Sequence, residues 1–175
     1  MGLTKLRKIN VPSIKIRIIM TKQKTISKDV PLAEITLRRY EKPTNVTGRE
    51  LVRKICLSIG LLQPGDSRDV VVDILAVLIM AGKEQKSLTC NEICAQVIEE
   101  RKKQKLALLG IASSNIRRQL KRLKDIFLVE KRLNAYRITE HNSLIEIFEE
   151  KIEGILAPSI NARIKEYLRK IDEIH

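Results

Sequence analysis

Ser113-Ser114-Asn115-Ile116-Arg117-Arg118-Gln119-Leu120-Lys121-Arg122-Leu123-Lys124-Asp125, followed at once by Ile126-Phe127-Leu128-Val129, is the stretch on which the fold turns. At about 100° per residue, Leu120 and Leu123 fall within about 40° of Ile116. Ser114, Arg118, Lys121 and Asp125 fall near the opposite side, with Arg117 and Arg122 flanking it. The pattern predicts a helix over 113–125 with an apolar seam and a basic outer face. Ser113 or Ser114 is expected to cap it. Phe127-Leu128-Val129 then leads into a strand, Glu130 to Ala135 reads as a polar turn, and Tyr136-Arg137-Ile138-Thr139 alternates as a returning strand. A basic helix is thus followed directly by a small basic β-hairpin.

Working towards the N-terminus, Thr89-Cys90-Asn91-Glu92 is a capping box, with a hydroxyl at the N-cap and a carboxylate three residues on. It opens a helix running to about Lys105, with Ile93, Val97 and Ile98 inward. Before it, Asp66 or Ser67 starts a helix through about Gly82. Val70, Val71, Ile74, Leu75, Val77, Leu78 and Ile79 make that helix apolar nearly all round, which places it centrally. Asp66, Asp69 and Asp73 read as acids suited to its N-terminal dipole. Thr47-Gly48-Arg49-Glu50 is a second capping box. Its helix is expected to bury Leu51, Val52, Ile55, Cys56 and Ile59, with Arg49, Arg53 and Lys54 on or near the other side.

Residues 67–139 therefore read as three helices and a hairpin. Leu88-Thr89-Cys90-Asn91-Glu92-Ile93, the run Ile111–Leu123 and Phe127-Leu128-Val129-Glu130-Lys131 resemble the winged helix-turn-helix family, and the whole is similar to small archaeal DNA-binding proteins of that type. The connection Arg101–Ala112 is longer than the family's tight turn. The resemblance implies a mainly α fold with small β, a winged helix-turn-helix core at 67–139 with a basic N-terminal extension and two C-terminal helices. It implies sequence-specific binding of double-stranded DNA by a transcriptional regulator. Helix 113–125 would enter the major groove, where Arg reads base edges, and 127–139 would lie on the backbone. On that reading Ser113, Ser114, Asn115, Arg117, Arg118 and Lys121 face the groove. Arg122, Lys131, Arg132 and Arg137 face phosphates, which position without specifying sequence. The competing reading is a winged-helix protein–protein adaptor in a transcription or chromosome-maintenance complex, since fold alone does not settle function.

Composition agrees with a polyanionic partner. The chain has 175 residues and a net charge of +13. Residues 1–54 carry a surplus of +10 and residues 88–140 a surplus of +6, while 55–87 and 141–175 are slightly acidic. With three Tyr, two Phe and no Trp, there is little aromatic surface on which single-stranded bases would stack, so RNA and single strands rank below duplex DNA. Cys56, Cys90 and Cys94 form no disulfide framework and fit a reducing cytoplasm. Cys90 and Cys94 lack the further ligands that structural zinc wants. No nucleophile motif, carboxylate pair or phosphate loop is present, so neither catalysis, a cofactor nor a metal is expected. No run reaches the ~20 apolar residues of a membrane span.

The chain divides into three segments. Residues 1–46 read equally as a β-hairpin, with alternation at Ile14, Ile16 and Ile18 and again at Glu34–Arg39, or as a flexible basic arm. Residues 47–140 hold the helical lead-in and winged core. In 141–175, Ser143-Leu144-Ile145-Glu146 is a third capping box. Its helix is expected to end at Pro158, before a last helix over about 159–172. The apolar stripe of 143–172 serves equally a homodimer or packing within one chain.

Overall fold

The structure, a computed structural model, describes residues 30–174. The expected strand around Ile14–Ile18 lies outside the described residues. The second expected strand, Glu34–Arg39, is not formed. That segment is irregular and is tied to the body by the Arg38 N–H on Ser58 O (2.7 Å) and the Arg38 guanidinium on Leu57 O (2.9 Å). It passes so close to Gly60 (φ +74°) that a Cβ there would come within 2.5 Å of Thr36 Cβ, so only glycine fits.

The fold is mainly helical with one small sheet. α1 (Gly48–Ser58), α2 (Val70–Lys83), β1 (Leu88–Thr89), α3 (Cys90–Lys103), α4 (Ser113–Asp125), β2 (Val129–Arg132) and β3 (Ala135–Ile138) come in that order along the chain. α2 is the axis of the body and packs against α1, α3, α4 and β3. Val70, Val71, Val72, Ile74, Leu75, Val77 and Leu78 are all buried, which is why the helix is apolar on every side.

α1 is rolled relative to expectation. Leu51 and Ile55 are exposed, while Cys56, Leu57 and the nearby Ile59 are buried. The inward face is Arg49, Val52, Cys56 and Ile59, at spacings of three, four and three. Nor does the expected capping box form. Thr47 accepts no side-chain cap bond, and the first helical residue, Gly48, has φ +56°. The box at Thr89 does form: its hydroxyl accepts from the Glu92 N–H (3.3 Å), and Glu92 Oε2 accepts from the Thr89 N–H (2.7 Å).

The sheet has the order β1-β3-β2, antiparallel throughout. β1, two residues long, pairs Leu88 with Tyr136 and Thr89 with Ala135. In the hairpin, Val129 faces Ile138 and Arg132 faces Ala135. The expected turn over Glu130–Ala135 is thus corrected: β2 runs on to Arg132 and only Leu133 and Asn134 reverse the chain. Passage from α4 into β2 uses a Schellman ending. The Phe127 N–H bonds to Lys124 O (2.9 Å) and the Leu128 N–H to Leu123 O (3.1 Å), with Phe127 at φ +63°. Leu123 and Leu128, the two positions that such an ending brings together, are both buried in the core. Thr139 Oγ1 then donates to Phe127 O (2.5 Å), pinning the hairpin's base.

After a short 3₁₀ turn, Thr139–His141, the Ser143–Glu146 capping box opens α5 (Leu144–Ile147). The helical path does not stop at Pro158 as expected. A π-helical stretch, Phe148–Leu156, leads without a break into α6 (Ala157–Asp172). A proline in a regular helix loses the bond to residue i−4 and clashes with that carbonyl; the wider coil just before it accommodates the change. Ile147, Ile152 and Leu156 are buried, whereas α6 buries no residue.

Candidate nucleic-acid interface

α4 is fixed from beneath. Ile116, Leu120 and Leu123 have no exposed surface, and Gln119 is buried beside them. The outer face is left to Ser113, Ser114, Arg117, Arg118, Lys121, Lys124 and Asp125, all exposed. No serine caps the helix: the N-cap is Ala112, with no side-chain bond to the first turn. Both hydroxyls are therefore not engaged as caps, and the first-turn amides lie at the exposed end, where anions are favoured.

The predicted residues divide by what they touch. Arg117 makes no side-chain hydrogen bond or ion pair among the described residues, and its side chain is exposed. Arg118 donates to Asn115 Oδ1 (2.8 Å) and remains exposed. Lys121 pairs with Asp125 at 2.6 Å, an exposed contact one helical turn on. Asn115 is half-buried and occupied. Its Nδ2 donates to Gly110 O (2.7 Å), and its Oδ1 accepts from Arg118 and from Gln119 (3.3 Å). It fastens the α3–α4 connection to the helix more than it projects from it. Gly110 itself has φ +76°, and a Cβ there would come within 3.0 Å of Asn115 Nδ2.

Arg122 is likewise turned inward. It is half-buried, donating to Gln119 Oε1 (2.9 Å) and to Gly60 O (3.0 Å) across the α1–α2 turn. On the hairpin, Lys131 is exposed with its ammonium 5.7 Å from the Tyr136 ring centre. Arg132 and Arg137 both pair with Glu130, at 3.1 and 2.7 Å. Burial raises the Glu130 carboxyl, but the Glu140 N–H and Arg137 outweigh it and hold the group below the ordinary carboxylate value. Arg132 is exposed and Arg137 half-buried. Of the basic residues expected at the site, the outermost are therefore Arg117, Arg118, Lys121, Lys131 and Arg132.

A cleft beside the first half of α4 adds residues that sequence reading missed. It is lined by Asp66 and Arg68, from the loop before α2, together with Ser114, Asn115, Arg118 and Arg122. Arg68 is exposed there. Its position is set by tertiary packing of the α1–α2 loop against α4, so no local pattern announces it. Lys124 on α4 is also exposed and was not among the residues expected at the site.

The long α3–α4 connection is held by a buried ion cluster. Arg101 and Asp73 are only 3% and 4% exposed and pair directly. Arg101 also contacts Asp69 (3.2 Å), while Arg49 binds Asp73 (2.6 Å) and Asp69 (2.7 Å). Arg101 further donates from Nε and a terminal nitrogen to Ala107 O (2.8 and 2.6 Å). α1, α2, α3 and the connection are thus clamped at one point. Burial pushes Asp69 up, but hydrogen bonds and charge from Arg49 and then Arg101 prevail and hold it below its ordinary value of 3.8. Burial works against the Arg49 charge too, and the two aspartates more than reverse that, raising its pKa. The aspartates are therefore more than dipole partners of α2. Cys94 is tied into the same region, its Sγ 3.6 Å from Ile111 O. Cys56, enclosed in the core, has its thiol pushed up to about 12 by burial and is inert at neutral pH.

No protein-family model, curated protein or solved structure matches this chain. Among the described residues, no helix is long and apolar enough to cross a membrane.

Proposed function

We propose that the chain is a sequence-specific double-stranded-DNA-binding protein built on a winged helix-turn-helix, acting as a transcriptional regulator. The observation that carries this reading is α4: one face fully buried, the other presenting Arg117, Arg118 and Lys121 beside a hairpin carrying Lys131 and Arg132. The order helix, short strand, helix, helix, hairpin supports the winged-helix assignment, as does the pairing of the hairpin's returning strand with β1. α4 enters the major groove, with Ser114, Arg117, Arg118 and Lys121 towards base edges. Lys131 and Arg132 meet phosphates, and Arg68 extends the basic edge of the cleft. Arg122, Arg137 and Asn115 steady these elements from behind.

The test is a mobility-shift series across salt. Affinity is expected to fall linearly in log–log form as phosphate-bound counterions are released. Arg118→Ala should weaken preferred duplexes selectively and Lys131→Ala all duplexes alike. Equal losses of both kinds in both variants would overturn the division of labour.

The adaptor reading draws on a different observation, the exposed apolar side chains of Leu51, Ile55 and Met80 on α1 and α2. It predicts that Arg117 and Arg118 tolerate Ala substitution, and that a stoichiometric protein partner is retained after nuclease treatment.

A further inference from the structure

Arg49, Arg101, Arg132 and Arg137 each pair with a carboxylate. Around the cleft beside the first half of α4 the arrangement differs. Arg68, Arg118 and Arg122 line it, and none of the three pairs with an acid among the described residues. Arg118 donates to Asn115 Oδ1, and Arg122 to Gln119 Oε1 and Gly60 O, all neutral acceptors. The Arg68 side chain is exposed and makes no hydrogen bond or ion pair among the described residues. Asp66 is the one acid among the described residues lining the cleft, and it accepts from the Arg68 backbone N–H (2.9 Å) rather than from a guanidinium. Three full positive charges thus face one negative charge across a concave space of about 1060 Å³.

The loop that carries Arg68 is held in place. Its turn closes with the Asp66 N–H on Gln63 O (3.1 Å), where Gly65 takes φ +79°. The Arg38 guanidinium holds Gln63 Oε1 (2.6 Å), and Arg122 ties Gly60 O to α4 (3.0 Å). Arg122 is half-buried, so water and salt screen its charge less than that of an exposed arginine. A concave surface of one sign focuses the field and concentrates the opposite charge.

We infer that this cleft takes the sugar–phosphate backbone of the duplex whose major groove α4 enters. Arg68 makes the contact, and Arg122 supplies charge from behind. The inference rests on the DNA-binding reading and adds a second anchor to it. The hairpin follows the last turn of α4 and the cleft lies beside its first half, so backbone contacts flank the reading face at each end. The space is far larger than one phosphate group, and Arg68 and Arg118 stand on separate elements. Both features suit a continuous backbone over a lone anion. Arg68 therefore positions the protein without reading sequence.

Fluorescence anisotropy of the full chain on a labelled duplex, repeated across salt, tests it. Each phosphate contact adds about 0.9 to the log–log slope on duplex DNA. Between about 50 and about 200 mM salt, Arg68→Ala should therefore lose about fourfold less affinity than the native chain. Its weakening should be the same on every duplex. Arg68→Lys should restore the slope, and the urea midpoint should not move in either variant, since the position is exposed. Arg169→Ala, an equal loss of charge on the exposed α6, should leave the slope as it is. A steep native slope that Arg68→Ala leaves unchanged, or that Arg169→Ala lowers as much, would overturn the cleft contact alone. A native slope near zero would overturn the DNA-binding reading, and the cleft contact with it. Inorganic phosphate that displaces duplex from the native chain better than chloride at equal ionic strength, but does not do so from Arg68→Ala, would assign the cleft to a free phosphate and overturn the backbone contact.

Discussion

Arg101 and Arg118 sit on successive helices and look alike in the sequence, each on the polar flank of an amphipathic pattern. Arg101 is enclosed, its guanidinium shared among Asp73, Asp69 and a backbone carbonyl. Arg118 stands in solvent with one neutral partner, Asn115. Arg49 and Arg117 repeat the contrast. A surplus of positive charge therefore has two parts with different work. One part is neutralised inside and clamps helices together. The other is left over at the surface and can meet a polyanion. Only the second is evidence of function, and burial rather than charge count separates them.

Stability measurements should separate the two arginines most sharply. Arg101→Met keeps the volume of the stem but strips Asp73 and Ala107 O of their buried donors. Breaking a buried pair costs about 3–5 kcal/mol, and because Arg49 still holds Asp73 the expected loss is near the lower end. Arg118→Ala should change stability by no more than about 0.5 kcal/mol, as for surface positions generally. Urea unfolding of both variants checks this, and similar losses would erase the distinction.

Acid should act on the enclosed set through Asp69 and on the hairpin through Glu130, whose carboxyls are both held below their ordinary values. Asp69 has its pKa lowered in the folded state, so its ionisation stabilises the fold above its unfolded value of 3.8 and that contribution is lost as pH falls through the lower, folded value. The urea midpoint should therefore hold level through the mildly acidic range and drop below about pH 4. Arg101→Met should flatten the drop; an unaltered acid limb would place the pH dependence elsewhere.

On the exposed set, Arg117→Ala should cost about 1–3 kcal/mol in binding a preferred duplex, read by fluorescence anisotropy, with an unchanged unfolding midpoint. A modest effect belongs to the scaffold that orients α4. Thr89→Ala removes the hydroxyl half of the capping box and should cost about 1 kcal/mol of stability, without changing relative affinity among duplexes.

Much of this arrangement was legible where local chemistry decides it. The Thr89 and Ser143 boxes form as spaced, and the seam Ile116, Leu120, Leu123 is buried as the wheel predicts. The departures have non-local causes. β1 is two residues long, too short to show alternation, and exists because β3 lies beside it. The ion cluster joins residues 20 to 32 positions apart, a distance at which no spacing rule operates. Helices α2, α3 and α4 are each succeeded by a left-handed residue that is not glycine, namely Gln85, Lys105 and Phe127, so the usual stop signal is missing from the sequence. Pro158 is the opposite case, a strong stop signal absorbed by a π-helical stretch. In the candidate site, the basic identity of α4 was readable, but the inward turn of Arg122 depends on Gly60 O, 62 residues away.

Selection of duplexes from a random library by the full chain, run in parallel with the Arg118→Ala variant, tests most directly whether the exposed arginines read DNA. The account predicts an enriched motif for the native chain, and loss of preference at one position of that motif in the variant. No enriched motif, or the same motif at undiminished strength from Arg118→Ala, would contradict it.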